Sequence, residues 1–595
     1  MIRTITRVAL MALVVATAGA GGLHAQTTTG GLTGVIRDSD GAVVPGATVK
    51  ATATATGTML TAITDESGQY VLRGLPVGNY TAQVELSGFQ TVQVENITVR
   101  VSEEVRLDVT LRVGNLTESV TVSGISTTVD TVSSTLKTVV DQKRIEELPL
   151  NGRNPTQLMT LVAGVIPDAR ADVTSGATYP GASGITANGA RANSTNYIMD
   201  GGSNNDHYSN ASNPMPNPDA LQEFSVQTNS FSAQYGRNAG AIVNAVTRSG
   251  TNSFRGLGFG YVRDSSMNAN NFFTPGIDDG LSRKQFGGTF GGPIVKNRTF
   301  FFGSYQGTLQ EQRPADLATL VPTAAQRQGN FAGYTRTLRD PLTGQPFAGN
   351  IIPANRIDPT AALILAQYLP LPNPNAGDPL NTLRYSRPAN SDDHQYLLRM
   401  DHSFNNNHRI YGRYWRSQAA VPEYLDASNV LTSSFGRTWD NQSISVNDTW
   451  VVSPALVNNL VVTYNRTYND NFQVQSPSYA DIGIPGVYND ATPQWFFNVG
   501  GWFGINTGDT NKFNRDEYQV VNTLRWTRNR HEIATGIDYS YGKGDIINNF
   551  RANGRYTFNN AAPFTGDALA DFMLGEFQSF EQGVGEYKNT RFHYL

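Results

Sequence analysis

From residue 254 onward the chain consists of runs of about ten residues whose side chains alternate in character, the period of a β-strand. In residues 531–541, Ile533, Thr535, Ile537, Tyr539 and Tyr541 fall on one face, and Glu532, Ala534, Gly536, Asp538 and Ser540 on the other. Tyr518, Val520, Leu524 and Trp526 share a side against Gln519, Thr523, Arg525 and Thr527, and Arg409, Tyr411 and Arg413 alternate with Ile410, Gly412 and Tyr414. An apolar face backed by a polar one fits a soluble sheet over a core, or a barrel wall with lipid outside and water inside. Three features favour the barrel. Aromatic residues (Tyr539, Tyr541, Trp526, Trp450) collect toward strand ends, where membrane interfaces lie. Tight turns such as Asn405-Asn406-Asn407 and Arg528-Asn529 alternate with long polar connections. Those connections, roughly 310–390 and 468–512, exceed the hairpins of soluble domains and suit extracellular loops.

The N-terminus reads as an export signal. Arg3 and Arg7 introduce an apolar run over 8–18 broken only by Thr17, and Leu23-His24-Ala25 offers a cleavage site before Gln26, so residues 1–25 are expected to be removed. That run is shorter than the roughly 20 residues of a membrane helix, and no other stretch reaches that length. The net charge of −4, from 45 basic and 49 acidic side chains, gives no electrostatic reason to expect nucleic acid. Charged residues make up 16%, against about 25% in soluble domains, and 58 glycines suit a turn-rich β protein. The absence of cysteine excludes disulfides, thiolate metal sites and a cysteine nucleophile.

Residues 26–113 carry short β-branched runs separated by turn residues: Asp40-Gly41, Glu66-Ser67-Gly68 and Pro76-Val77-Gly78. This predicts a small antiparallel sandwich. Asp38, Asp40, Asp65 and Glu66 read as acids capping turns. A linker over 114–124 follows, alternating between Gly114 and Gly124; such a strand either adds to a partner's sheet edge or pairs within the chain. Residues 125–253 are mixed. A helix is predicted over 142–147, stopped by Pro149, and another over 156–162, ended by Gly164.

Several of these segments resemble known families. "GVIRDSDGAVVPGATVKA" and "TDESGQYVLRGLPVGNYTAQVELSGF" resemble the carboxypeptidase regulatory-like domain, a transthyretin-like sandwich that is structural and not catalytic. "RIEELPLNGRNPTQLMTLVAGV", "NGARANSTNYIMDGGSNND" and "DALQEFSVQTNSFSAQYGRNAGAIVNAVTRSGTNSFRG" resemble the plug of a TonB-dependent receptor of the Oar-like subclass. "RKQFGGTFGGPIVKNRTFFFGSYQG" resembles that subclass's first barrel hairpin, with a periplasmic turn near 293–297, and "PLTGQPFAGNIIPANRID" one of its loops. The resemblance implies a mainly β chain: a sandwich in the periplasm (26–113), a small α+β plug (125–253), and the first part of an antiparallel outer-membrane β-barrel (254–595). By position, Thr117, Glu118, Ser119, Val120, Thr121 and Val122 resemble the TonB box, the segment that pairs as a strand with TonB and receives force derived from the proton gradient. About nine to eleven strands are counted, against about 22 in such receptors, so the sequence is expected to be a fragment of a longer protein.

His531-Glu532 begins like a zinc-protease motif, but the second histidine would fall at Thr535, on a strand. His402 and His408 read as polar residues beside a turn. Asp200, Asn204, Asn205, Asp206 and His207 form an oxygen-rich cluster where calcium is conceivable, although a solvated plug loop is the simpler reading. Gly287-Gly288 and Gly291-Gly292 lack the strand-to-helix context of a phosphate loop and read as close strand packing. No enzyme activity and no cofactor are expected. The preferred function is TonB-energised import of an extracellular ligand such as a siderophore, oligosaccharide or peptide. The alternatives are a surface adhesin or export-associated barrel, and a soluble accessory to a secreted enzyme.

Overall fold

The computed structural model describes residues 29–595 apart from 115–118, 124–132, 168–183, 270–277, 279, 314–316, 488–492, 509, 529–530, 550–551, 560–563 and 584–585. The export signal lies outside them. No helix among the described residues is long and apolar enough to cross a membrane.

The first unit is a sandwich, but not a wholly antiparallel one: residues 104–106 and 109–111 pair in parallel with 30–38, and 119–123, expected as linker, pair in parallel with 91–99. Its strands are β1 (Gly30–Asp38), β2 (Thr48–Ala53), β3 (Met59–Ile63), β4 (Gln69–Leu75), β5 (Gly78–Glu85), β6 (Thr91–Val99), β7 (Glu104–Arg106), β8 (Val109–Leu111) and β9 (Ser119–Ser123). One sheet runs β4-β1-β7 with β8 also on β1, and the other runs β3-β2-β5-β6-β9. Alternate residues such as Val49, Ala51, Tyr80, Ala82 and Val84 meet Leu32, Ile36, Tyr70 and Leu72 in one apolar core. Two of the four turn acids cap backbone as expected: Asp38 accepts from the amides of Asp40 and Ala42, and Asp65 from those of Ser67 and Gln69.

The plug is built on a five-stranded sheet in the order Leu136–Asp141, Leu221–Asn229, Ile242–Thr247, Asn196–Met199, Gly202–Ser203. The helix Gln142–Glu147 is capped by Asp141, whose side chain accepts from the Arg144 amide. The second predicted helix is a tighter 3-10 turn, Pro155–Leu161, entered through Asn154 and Pro155. Both pack on Val140, Tyr197, Phe224 and Val243.

Ten long antiparallel strands then form a single meandering sheet from Arg255–Asp264 to Glu586–Tyr594, which are its two edges. The alternation read from the sequence sorts its faces. Arg409, Tyr411 and Arg413 point to the plug side, and Ile410 and Tyr414 to the opposite face. On that opposite face Tyr464, Tyr518 and Tyr541 are register neighbours with ring centroids 4.9 and 6.2 Å apart, and Trp526 lies toward the short-turn end. Tyr518 to Trp526 spans about 26 Å along the strand, which a barrel tilt of about 40° turns into a height of about 20 Å, inside the apolar band of about 25 Å of a membrane barrel.

Short turns link Ser282–Val295 to Thr299–Glu311, Ser391–Asn405 to His408–Val421, and Gly436–Ser453 to Leu456–Phe472, all at one end. Asn297 takes a left-handed φ of 61° in the first. The sandwich sits at this end: Arg73 pairs with Glu532 at 2.7 Å, Arg409 donates to the Gly74 carbonyl, and the Asn252 amide donates to the Ala55 carbonyl at 2.9 Å.

At the other end the structure departs from expectation. The long connections are not separate loops but fold together as a cap. Trp495, Phe497, Phe503, Phe331, Ile364, Phe572 and Met573 share a core that contains no residue of the ten strands. A four-stranded sheet (Gly504–Asn506, Phe496–Val499, Arg555–Phe558, Ser579–Glu581) and the helices Pro359–Gln367 and Ala568–Leu574 frame it. His402 and His408 are likewise strand residues and not loop residues, bonded to Thr299 at 2.9 Å and Asp448 at 2.8 Å.

Candidate functional site

The oxygen-rich cluster at 200–207 is neither solvated nor a metal cage, which corrects the simpler reading from sequence. Asp200, Asn204, Asn205 and Asp206 are all at most 3% exposed. Among the described residues no group of three or more histidine and acidic side chains is arranged to hold a metal. The acids instead meet arginines from the sheet. Asp200 occupies a left-handed turn (φ 51°) where the strand Asn196–Met199 ends. Its carboxylate accepts from the Thr247 amide and hydroxyl, each at 2.9 Å, and faces Arg413 Nε at 3.1 Å and Arg399 Nη1 at 3.5 Å. Arg399 is shared with Asp401 at 2.8 Å and lies over the Tyr411 ring at 4.0 Å.

The same interface continues along the plug. Asp206 pairs with Arg515 at 2.9 Å, and His207 Nε2 lies 2.6 Å from Glu517, both nearly fully buried. Asn465 donates to the Ser203 carbonyl, and the Ser203 amide donates to Gln519, each at 2.7 Å. Further round, Arg153 joins Asp219 of the plug, reaches Gln306 of the sheet at 3.2 Å, and stacks over Phe259 and Tyr261. Burial raises the Asp219 carboxyl above its ordinary range, and Arg153 opposes that shift. Charges buried this deeply are tolerated only when paired, so these contacts tie the plug to one position on the sheet. Arg399, Arg413 and Arg515 were missed as partners because nothing local in the sequence couples them to residues 200–206.

Of the candidate TonB-contacting residues, Thr117 and Glu118 lie outside the described residues. Ser119, Val120, Thr121 and Val122 belong to β9, which pairs in parallel with β6, Thr91 opposite Ser119 through Glu95 opposite Ser123. The intrachain pairing left open by the sequence is therefore present. Nearby, the Val101 amide of the sandwich donates to Glu223 of the plug; burial pushes the Glu223 carboxyl up to about 7, with the amide and Arg100 opposing.

Residues 246–595 match the profile of the family described as outer membrane beta barrel domain. The chain belongs to that family. Residues 31–112 of this barrel protein match the carboxypeptidase regulatory-like domain, and residues 129–243 the TonB-dependent receptor plug domain. A TonB-dependent transporter, Oar of Myxococcus xanthus, is 30% identical over 268 residues, which cover 41% of this chain and 23% of the relative. Among solved structures, the outer membrane transporter YddB of Escherichia coli aligns with a TM-score of 0.44 and 12% identity, over 77% of this chain and 52% of that one. The siderophore receptor PirA of Acinetobacter baumannii aligns with a TM-score of 0.40 and 12% identity, over 70% and 49%. The chain thus spans about half the length of these solved proteins. The barrel protein lies in the outer membrane with its sandwich in the periplasm, and its family is one of transporters and receptors.

Proposed function

We propose that this chain serves TonB-energised import: a ligand is captured on the cap side, and TonB, engaging residues 117–122, shifts the plug to let it pass. The observation that carries this reading is the plug's attachment. A plug held on its sheet by buried ion pairs (Asp200 with Arg399 and Arg413, Asp206 with Arg515) resists displacement, because parting a pair inside the interface leaves a buried charge without its partner. Passage therefore calls for work from outside, and a strand-forming segment between sandwich and plug is where an external strand can apply it. The cap suits ligand capture because it is folded, so its surface is preorganised.

The test is deletion of residues 117–122 from the full chain, followed by titration with the purified periplasmic domain of TonB. Loss of binding is expected, and unchanged binding refutes the assignment of the segment. An adhesin instead predicts that cells lacking a proton gradient behave as energised cells do.

A further inference from the structure

We propose that the sandwich is a latch on the plug: docked, it braces the plug's sheet against the turns of the long strands, and it leaves before the plug moves. The inference is independent of whether residues 117–122 engage TonB.

The sandwich reaches the plug through the tight turn between β6 and β7, residues 100–103, where Ser102 takes a left-handed φ of 54°. Two adjacent residues of this turn meet four plug residues. The Val101 amide donates to Glu223, and the Ser102 carbonyl accepts from Lys137 Nζ at 3.0 Å. The Ser102 hydroxyl lies 3.3 Å from the Tyr235 hydroxyl and accepts from Asn244 Nδ2 at 3.4 Å. Lys137, Glu223 and Asn244 stand on three adjacent strands of the plug sheet, Leu136–Asp141, Leu221–Asn229 and Ile242–Thr247. One turn therefore grips three strands, and displacement of any of them breaks a contact to it.

The other side of the sandwich is fixed to the long-strand sheet. Arg73 of β4 joins the two sides. It pairs with Glu104, the residue that follows the turn, at 3.1 Å, and with Glu532 of the sheet at 2.7 Å, and it donates to Thr527. Beside it Arg409 donates to the Gly74 carbonyl, and Val451 of the sheet packs against the sandwich core. A plug moving toward the short-turn end thus meets a body anchored to the sheet.

The order of release follows from exposure. Glu532 is 42% exposed, so water takes the place of Arg73 as the pair parts, and such a pair is weak. Asp200 and Arg413 have no such replacement, and parting them strands two buried charges. Units held by water-accessible contacts open before units held by buried ones. The sandwich undocks first, and while it is docked its contacts add to the cost of moving the plug.

The chain has no cysteine, so an engineered pair has no competitors. In the full chain, Arg73→Cys with Glu532→Cys removes the joint without touching the plug, and a short bis-maleimide between the two thiols replaces it covalently. Hydrogen exchange in sub-denaturing urea then follows the plug strands Leu221–Asn229 and Ile242–Thr247. Before crosslinking they are expected to exchange at least about threefold faster than in the unsubstituted chain, and crosslinking is expected to reverse the rise. A smaller rise, or one that the crosslink does not reverse, overturns the latch. So does failure of the reagent to bridge the two thiols in the folded chain. Amides of β2 and β5 are read in the same samples and are expected to stay protected. Their exposure before crosslinking means a sandwich unfolded and not undocked, which also overturns the proposal.

Discussion

Arg413 of the long-strand sheet and Asp200 of the plug form an ion pair, Nε to Oδ2 at 3.1 Å, in which neither side chain is more than 1% exposed. Two charges so deep in the interface stabilise it only together, and removal of one partner typically costs about 3–5 kcal/mol. Asp200→Ala leaves both Arg399 and Arg413 facing the vacated position, whereas Arg413→Ala leaves Asp200 its second arginine at 3.5 Å. The aspartate variant is therefore expected to be the more damaging. Hydrogen exchange of the plug amides against urea measures it, and equal effects of the two substitutions contradict the shared-carboxylate arrangement.

The folded chain is expected to lose stability as pH rises. The Glu223 carboxyl is ordinary in the unfolded chain and raised to about 7 in the folded one by burial, with the Val101 amide and Arg100 opposing. The folded state therefore holds the extra proton between the two values. Its contribution is fully present below the ordinary carboxylate range and is lost as pH climbs through about 7. Urea denaturation followed between about pH 5 and 8 should show the loss, and Glu223→Gln should flatten the profile.

The ten-stranded sheet was legible because a strict period of two survives over runs such as 531–541, and because a one-residue slip would turn every side chain to the wrong face. The cap was not legible. Trp495, Phe331 and Phe572 come from distant connections without a period, so each stretch alone reads as a polar loop. The plug cluster failed for a related reason: Asp200 and Asp206 are local in sequence, but the arginines that neutralise them are not. The β9 segment stood as two alternatives since its alternation states that it is a strand and not which edge it joins.

The cap is expected to unfold independently of the sheet. Trp495 is fully buried in a core made wholly of cap residues, and Trp495→Ala should cost about 3–5 kcal/mol. Protease added to intact cells should then cleave within 312–390 faster, with the ten strands unaffected. Parallel loss of the membrane-embedded fragment contradicts an independent cap.

Gly287 marks a close approach between strands, where an added Cβ lies 2.1 Å from the Tyr305 carbonyl oxygen. Gly287→Val should reduce the fraction of chain assembled in the outer membrane, measured as protease-resistant material, by separating Ser282–Val295 from Thr299–Glu311. Gly258, with nothing within 4 Å of its added Cβ, is the control expected to tolerate alanine.

Force-driven movement of the plug is measured most directly by thiol accessibility at Ser203, a buried plug residue held between Asn465 and Gln519 of the sheet. In a chain without other cysteines, Ser203→Cys gives no background signal. A water-soluble thiol reagent applied to living cells should label it in the energised state. Labelling should fall when a protonophore is added, and equally when residues 117–122 are deleted. Labelling that ignores both the proton gradient and the deletion would contradict energised plug movement.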